Sequence, residues 1–340
     1  MARVDHLDTL KALAIWLVVL GHTIQGTDAD YWHNGVFLLI YSVHMPLFAL
    51  LSGYFFHADD GAWLTLKRKT MQLIVPCITW GILEMCVSIA QHVPEHFMNV
   101  IKPTVLYSQW FIKCMWVCSL LSLLPCLLPW LRGAWRKMAT AAALCLLLTL
   151  SCVGDLFWVS FLLPFYFVGI LLRHRQVQLQ TISTGRRALY ITLLTIAFVI
   201  LYMWWDGSKT IYITPIAPIA NGAIDVDNIL TALLRWALGL IGCLAIVMLS
   251  PWIHRCVPAF LKHTVLRIGR RTKGIYIIHT TSLFPVGSLC AAVPVYGGGG
   301  ENTLTAIVLS IIITFAALLL TMLLERNRVT ACLALGINRR

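Results

Sequence analysis

The chain has 340 residues, of which 59% are hydrophobic and only 12% charged, whereas soluble globular domains carry about 25% charged residues. At a mean hydropathy of +0.81, no soluble core could hide so much apolar surface, so the expected solvent is lipid. The formal net charge of +12 does not make nucleic acid an expected partner, because positive charge in a membrane protein is mostly a topology signal.

Apolar runs of about 20 residues cross the hydrocarbon, and reading for them gives expected spans at 10–27, 35–56, 70–92, 104–128, 138–153, 157–172, 188–205, 228–250, 274–292 and 303–324. The first run continues through Leu20 to His22 without a cleavage-type sequence, so it reads as a span and not as a signal peptide. The fifth and sixth runs are short, with only Gly154-Asp155 between them, and imply a tight hairpin or a partly re-entrant segment. The expected fold is all-α: a polytopic membrane bundle of about ten transmembrane helices, one domain over 1–340, with both termini cytoplasmic. The 11 cysteines sit mainly inside apolar runs, as small packing residues do. No metal is expected.

Lysines and arginines test this layout. With the N-terminus inside, the inner side collects Arg3, Lys11, Lys67 to Lys69, Arg132, Arg136, Lys137, Arg173, Arg175, Arg186, Arg187, Arg255, Lys262, Arg267, Arg270, Arg271, Lys273 and the C-terminal arginines. The outer side collects only Lys102 and Lys209, and Lys113 and Arg235 fall inside spans. That skew follows the positive-inside rule. Of the outer loops, 206–227 is the longest and 293–302 holds a run of glycines. Either is a candidate lid over an acceptor, or a plain connector.

Ionisable groups inside a membrane are costly and mark functional sites by default. From a rise of about 1.5 Å per residue, His22 lies roughly 16 Å beyond Lys11, near the midplane. Measured from the outer boundary, His44 and Lys113 are about 13 Å deep, Arg235 about 10 Å and Glu84 about 9 Å. These groups come from five helices and are expected to converge on one polar cavity. The alternative is that each pairs privately with backbone or a neighbour. A second set, Asp8, Lys11, Lys67, Arg68, Lys69, His279 and the basic loop Arg267 to Lys273, gathers at the inner face. It is either the topology signal alone or a cradle for a polyanion such as coenzyme phosphates.

Several segments resemble the acyltransferase 3 family of membrane-bound O-acyltransferases. VDHLDTLKALAIWLVVLGH is similar to that family's first helix, with Leu7, Asp8, Leu10, Lys11 and His22 on its positions. VHMPLFALLSGYFF resembles the second helix through His44, Met45, Pro46, Leu47, Phe48, Ser52, Gly53 and Tyr54. LKRKTMQLIVPCITW, with Pro76 and Trp80, resembles the third; Trp110-Phe111 resembles the aromatic pair opening the fourth. Gly169 and IGRRTKGIYIIH, with Gly269, Gly274, Ile275, Tyr276 and His279, resemble later motifs. Two positions depart from the pattern: Lys11 stands for an arginine, and Lys69-x-x-Gln72 for Arg-x-x-Arg. Lysine keeps the charge but loses bidentate geometry.

Within the family the chain is similar to stand-alone members related to fucose 4-O-acetylases, with no extra esterase-like domain expected. The resemblance implies a multi-pass protein of the bacterial cytoplasmic (inner) membrane. It would transfer an acyl group, usually acetyl, from cytoplasmic acyl-CoA to a hydroxyl of an envelope glycan or lipid-linked sugar. Acyl-CoA is a co-substrate, and no bound cofactor is implied. Histidine suits proton removal near neutral pH, so His22 is the expected base. His44, Glu84, Trp110, Lys113 and Arg235 are expected acceptor or transition-state contacts. Asp8, Lys11, Lys67, Arg68, Lys69 and His279 are expected at the donor. The rival expectation is a multi-pass transporter, because buried charges also suit proton coupling. Against it, neither an internal repeat nor paired halves are visible.

Overall fold

In the computed structural model of the chain, residues 5–58, 61–90, 109–124, 140, 142–145, 147, 158–175, 181–220, 223–281 and 302–337 are described. The described helices are α1 (Asp5–Thr27), α2 (Gly35–Tyr54), α3 (Ala62–Ala90), α4 (Trp110–Leu121), α5 (Val159–His174), α6 (Thr184–Tyr202), α7 (Val226–Cys256), α8 (Ala259–Arg270), α9 (Thr272–His279), α10 (Thr303–Leu324) and α11 (Arg328–Leu335). A two-residue antiparallel pair, β1 (Ile219–Ala220) with β2 (Ala223–Ile224), lies in the loop before α7. The helices α1, α2, α3, α6, α7 and α10 are long and apolar enough to cross a membrane; α4 and α5 are shorter apolar helices. Most of the expected span 138–153 and residues 282–292 of the ninth lie outside the described residues.

Local chemistry sets the helix ends. The Asn34 side chain accepts from the amides of Val36 and Phe37 at the start of α2. Asp225 accepts from Asn228 at the start of α7, and Ser183 from Arg186 at the start of α6. Each satisfies a backbone donor that the first helical turn leaves unpaired. Asp5 and Asp8 sit in the first turn of α1, where negative charge complements the helix dipole.

Two expectations change. Lys67, Arg68 and Lys69 do not precede the third helix but lie inside it, because α3 begins at Ala62. At 3.6 residues per turn, three successive side chains cannot share one face. The segment from Arg267 is likewise not a loop: residues through Arg270 belong to α8. Val265, Ile268 and Gly269 turn one face of α8 into the core, and Arg267 stays exposed.

The central helix is α1, which touches α2, α7, α8, α9 and α10. The helix ends sort into two sets. On one face Arg173 donates to the Tyr54 carbonyl at 3.4 Å, Arg270 to Asp8 at 3.3 Å, and Arg271 grips both oxygens of Glu325. On the opposite face Asn302 donates to the Thr27 carbonyl at 2.9 Å, and the Trp205 indole to the Leu38 carbonyl at 3.0 Å. The first face is rich in arginine and lysine and is called the basic face below. Leu189, Leu193, Ile196, Val199 and Ile200 leave α6 with an exposed apolar flank, as expected of a helix solvated by lipid.

The crossing of α2 and α5 depends on two glycines. A Cβ at Gly53 would stand 1.9 Å from the Tyr166 carbonyl oxygen, and one at Gly169 1.9 Å from that of Leu50. The two backbones therefore touch directly, the small-residue packing that holds helices together in lipid. Gly169→Ala is expected to destabilise the protein by about 2 kcal/mol, since overpacking costs about 1–3 kcal/mol and backbone cannot yield as a side chain can. Gly185→Ala, where no described heavy atom lies within 4 Å, is the control. Thermal unfolding in detergent checks the pair; equal midpoints would refute the backbone contact.

Candidate functional site

Three histidines meet in the middle of the bundle, carried by α1, α2 and α9. The rings of His22 and His279 are 5.4 Å apart, and His44 and His279 each lie within electrostatic reach of His22. His44 Nδ1 lies 2.7 Å from the Ile40 carbonyl oxygen, and His279 Nδ1 3.0 Å from that of Ile275. A carbonyl only accepts, so both nitrogens carry their proton and donate. His22 Nδ1 lies 2.9 Å from Gln25 Oε1, one helical turn on, and donates to it in the same way. Each ring thereby turns Nε2, with its lone pair, away from its own helix. His279 Nε2 is buried and has no hydrogen-bond partner among the described residues. His22 is exposed although protein surrounds it, the condition of a side chain lining an internal space.

A cavity of about 440 Å³ opens toward the basic face beside this cluster. Its polar lining includes Lys11, Lys69, Lys273 and Gln72; Phe48, Phe111, Tyr166 and Tyr276 contribute apolar walls. No carboxylate is among the described lining residues. Lys273 and Lys69 are electrostatic neighbours, so an anion would relieve their repulsion. Tyr276 forms the wall between this cavity and the histidines, its ring 5.6 Å from that of His279.

Backbone chemistry fixes the lysines. Pro76 has no N–H to give the Gln72 carbonyl one turn earlier, and Lys273 Nζ fills that vacancy at 2.9 Å. Lys11 pairs with Asp8 at 2.6 Å and lies 4.7 Å over the Phe55 ring. Asp8 is shared with Arg270, so it reaches the cavity only through Lys11.

Residues 4–326 match the family described as an acyltransferase domain. The chain belongs to this family, acyltransferase 3. It is similar to two curated proteins, each called nodulation protein NolL. The one from Mesorhizobium japonicum is 29% identical over 60% of this chain and 56% of the relative. The one from Sinorhizobium fredii is 30% identical over 48% of this chain and 47% of the relative. The chain thus spans about half the length of the curated relatives it matches. No solved structure matches it.

Among the residues expected from the acyltransferase 3 resemblance, His22, His44 and His279 come together, with His279 beside His22 and not among the residues lining the basic cavity. Lys11 and Lys69 line the basic cavity. Lys67 points out, and Arg68 donates to the His57 carbonyl at 3.3 Å. Lys113 and Lys273 are both electrostatic neighbours of Cys77, and only Lys273 is among the residues lining the basic cavity. Glu84 is half-buried on α3 and is not among the contacts of the three histidines.

Arg235 is buried and donates to the carbonyls of Lys209 and Thr210. It therefore holds the 206–214 loop, which carries Tyr212 against Tyr41, Trp110 and Trp158. An ion pair between Asp206 and Lys209 stiffens the same loop. Partial burial opposes it, but bonds from Lys209 and Ser208 hold the Asp206 carboxyl below its ordinary value. Burial pushes the Tyr212 phenol well above its ordinary value, so it stays protonated.

Sequence reading passed over Gln25 and Lys273 as individual residues. Gln25 sits one turn after His22, a spacing that puts the two side chains on one helix face; Lys273 lay within a basic run. Inorganic pyrophosphate is expected to bind the purified protein, with Lys273→Gln or Lys69→Gln weakening it about tenfold, because a hydrogen bond to a charged group is worth about 1.5–3 kcal/mol. Lys67→Gln should leave binding unchanged. Calorimetric titration at low and high salt checks this; equal losses in all three variants would make the lysines a diffuse charge and not a cradle.

Proposed function

We propose that the chain is a multi-pass O-acetyltransferase of a bacterial cytoplasmic membrane, moving an acyl group from acyl-CoA to a glycan or lipid-linked sugar hydroxyl. The basic face lies in the cytoplasm, both termini are on that side, and about ten spans complete the bundle. The single observation that carries the reading is the His22–Gln25 pair, which leaves His22 Nε2 free of its own helix, two ring contacts (His279, then Tyr276) from a lysine-lined cavity.

The chemistry follows from that nitrogen. Coenzyme phosphates bind Lys11, Lys69 and Lys273, and the pantetheine arm runs past Tyr276 toward the histidines. His22 Nε2 takes the proton of the acceptor hydroxyl as its oxygen attacks the thioester carbonyl carbon. The tetrahedral oxyanion collapses, the C–S bond breaks, and the thiolate leaves with the proton returned by His22. Products are an O-acyl ester and the free coenzyme thiol. Gln25 positions the base by holding Nδ1–H, so that Nε2 is the nitrogen that works.

Radiolabel transfer from acetyl-CoA to membrane glycan tests the reading. His22→Ala should lower the rate about 100-fold or more, in line with the usual contribution of a positioned base. Gln25→Ala should cost about tenfold in kcat, with the KM for acetyl-CoA unchanged. Wild-type rates in His22→Ala would sink the assignment, and solute uptake without acetyl transfer would turn it to a transporter. In a background without native cysteines, His33→Cys should react with an impermeant thiol reagent from outside and Arg267→Cys should not. The reverse pattern would invert the topology.

A further inference from the structure

The described residues include only two non-glycine positions with left-handed backbone, Gln109 (φ 55) and Trp158 (φ 54). Neither caps its helix with a side-chain bond. Such strain costs about 1–3 kcal/mol and tends to persist where surrounding structure serves a site. Both residues are at one place. Trp158 precedes α5, and its ring meets that of Trp110 edge-on at 4.3 Å and that of Tyr212 at 5.1 Å. Gln109 precedes α4 and is the chain neighbour of Trp110. The wall connects to the histidines by two routes: Tyr212 to Tyr41 to His44, and Gln109 to α9.

Gln109 adds a polar instruction. Its Nε2 donates to the Ile277 carbonyl and to Thr280 Oγ1, each at 3.2 Å, on either side of His279. Because the carbonyl only accepts, the amide orientation is fixed, and Oε1 must be an acceptor. That oxygen is buried with no partner among the described residues, as is His279 Nε2. With His22 Nε2, three acceptors are offered beside the wall, whose own donors are the Tyr212 hydroxyl and the tryptophan indoles. A ligand that satisfies them brings several O–H donors, and one that covers the aromatic wall brings a flat face of C–H groups, which favours the negative face of a π-system. A carboxylate or phosphate would set its own lone pairs against these three acceptors. A simple lipid alcohol has one donor and cannot serve all three.

We propose that Trp110, Trp158 and Tyr212 form a stacking subsite for a neutral pyranose ring, whose hydroxyls donate to Gln109 Oε1 and His279 Nε2. The subsite rests on the acyl-transfer reading only for its purpose, since ring binding needs no turnover. Arg235 is a positioning residue here: it holds the Lys209 and Thr210 carbonyls and so keeps Tyr212 over the tryptophans.

Purified protein in nanodiscs is titrated with a panel of methyl pyranosides, followed by saturation-transfer NMR and tryptophan fluorescence. The expected result is saturable contact through the C–H protons of one ring face. Tyr212→Ala, a change in an exposed loop, should weaken it at least about tenfold, roughly the measure of one stacked ring. Tyr212→Phe should restore it, and Lys273→Gln should leave it unchanged. Gln109→Leu should weaken pyranosides without affecting pyrophosphate binding in the basic cavity. Absence of contact with any pyranoside, or contact indifferent to Tyr212→Ala, overturns the subsite. Acetyl transfer is measured on the same samples. Transfer lost in His22→Ala but intact in Tyr212→Ala would leave the acyltransferase reading standing without the subsite. Pyranoside binding without any transfer would do the opposite.

Discussion

The helix rise of α1 sets Lys11 and His22 about 16 Å apart. Among the described helices, α2, α7, α8, α9 and α10 pack around α1, so that separation cannot change short of unfolding the bundle's centre. At one end, Asp8 ties Lys11 and Arg270 together; Gly269 allows α8 to lie directly on the Asp8 carbonyl, where a Cβ would stand only 1.8 Å away. At the other end, His22 and Gln25 form a pair on one helix face. The remaining elements are arranged about these two ends: α3 and α9 add lysines to the first, α2 and α9 add histidines to the second.

The second constraint is the direction of each imidazole. His44 and His279 spend Nδ1–H on carbonyls of their own helices, and His22 spends it on Gln25. A ring fixed in this way has one tautomer and one outward nitrogen. His22 differs from the other two because its partner is a side chain. A backbone carbonyl cannot be removed by mutation, whereas Gln25 can, so the role of tautomer in this bundle is separable from the role of folding.

Much of the fold was legible because lipid leaves a simple signature. A helix that must satisfy its own backbone shows a long apolar run, and α10 matches its expected span 303–324 residue for residue. Where a helix leaves the hydrocarbon the signature fades. The start of α3 was missed because Ala62 to Leu66 are followed by three cations, which ended the apolar run although the helix continued. Site residues divide in the same way. His22 and His44 stand out as lone polar groups in apolar sequence. Gln25 is an uncharged residue near the end of an apolar run and carries no such signal, and Lys273 is one of a run of topology charges. Arg235 was seen as a buried cation, but its partners are carbonyls 25 and 26 residues away in the chain, a pairing that no local pattern announces. Its link to the site runs through the loop it holds.

Pro76 brings a tension between robustness and use. Its missing N–H leaves the Gln72 carbonyl open, and Lys273 occupies it. A residue with an amide hydrogen would close the helical ladder, remove a proline penalty of about 3 kcal/mol in α3 and leave Lys273 without its anchor. The sturdier helix would then be the poorer anion trap. Selection for thermal endurance alone would drive this position away from proline, and selection for grip on a phosphorylated donor would drive it back. The proline inside α3 thus marks which of the two pressures prevailed.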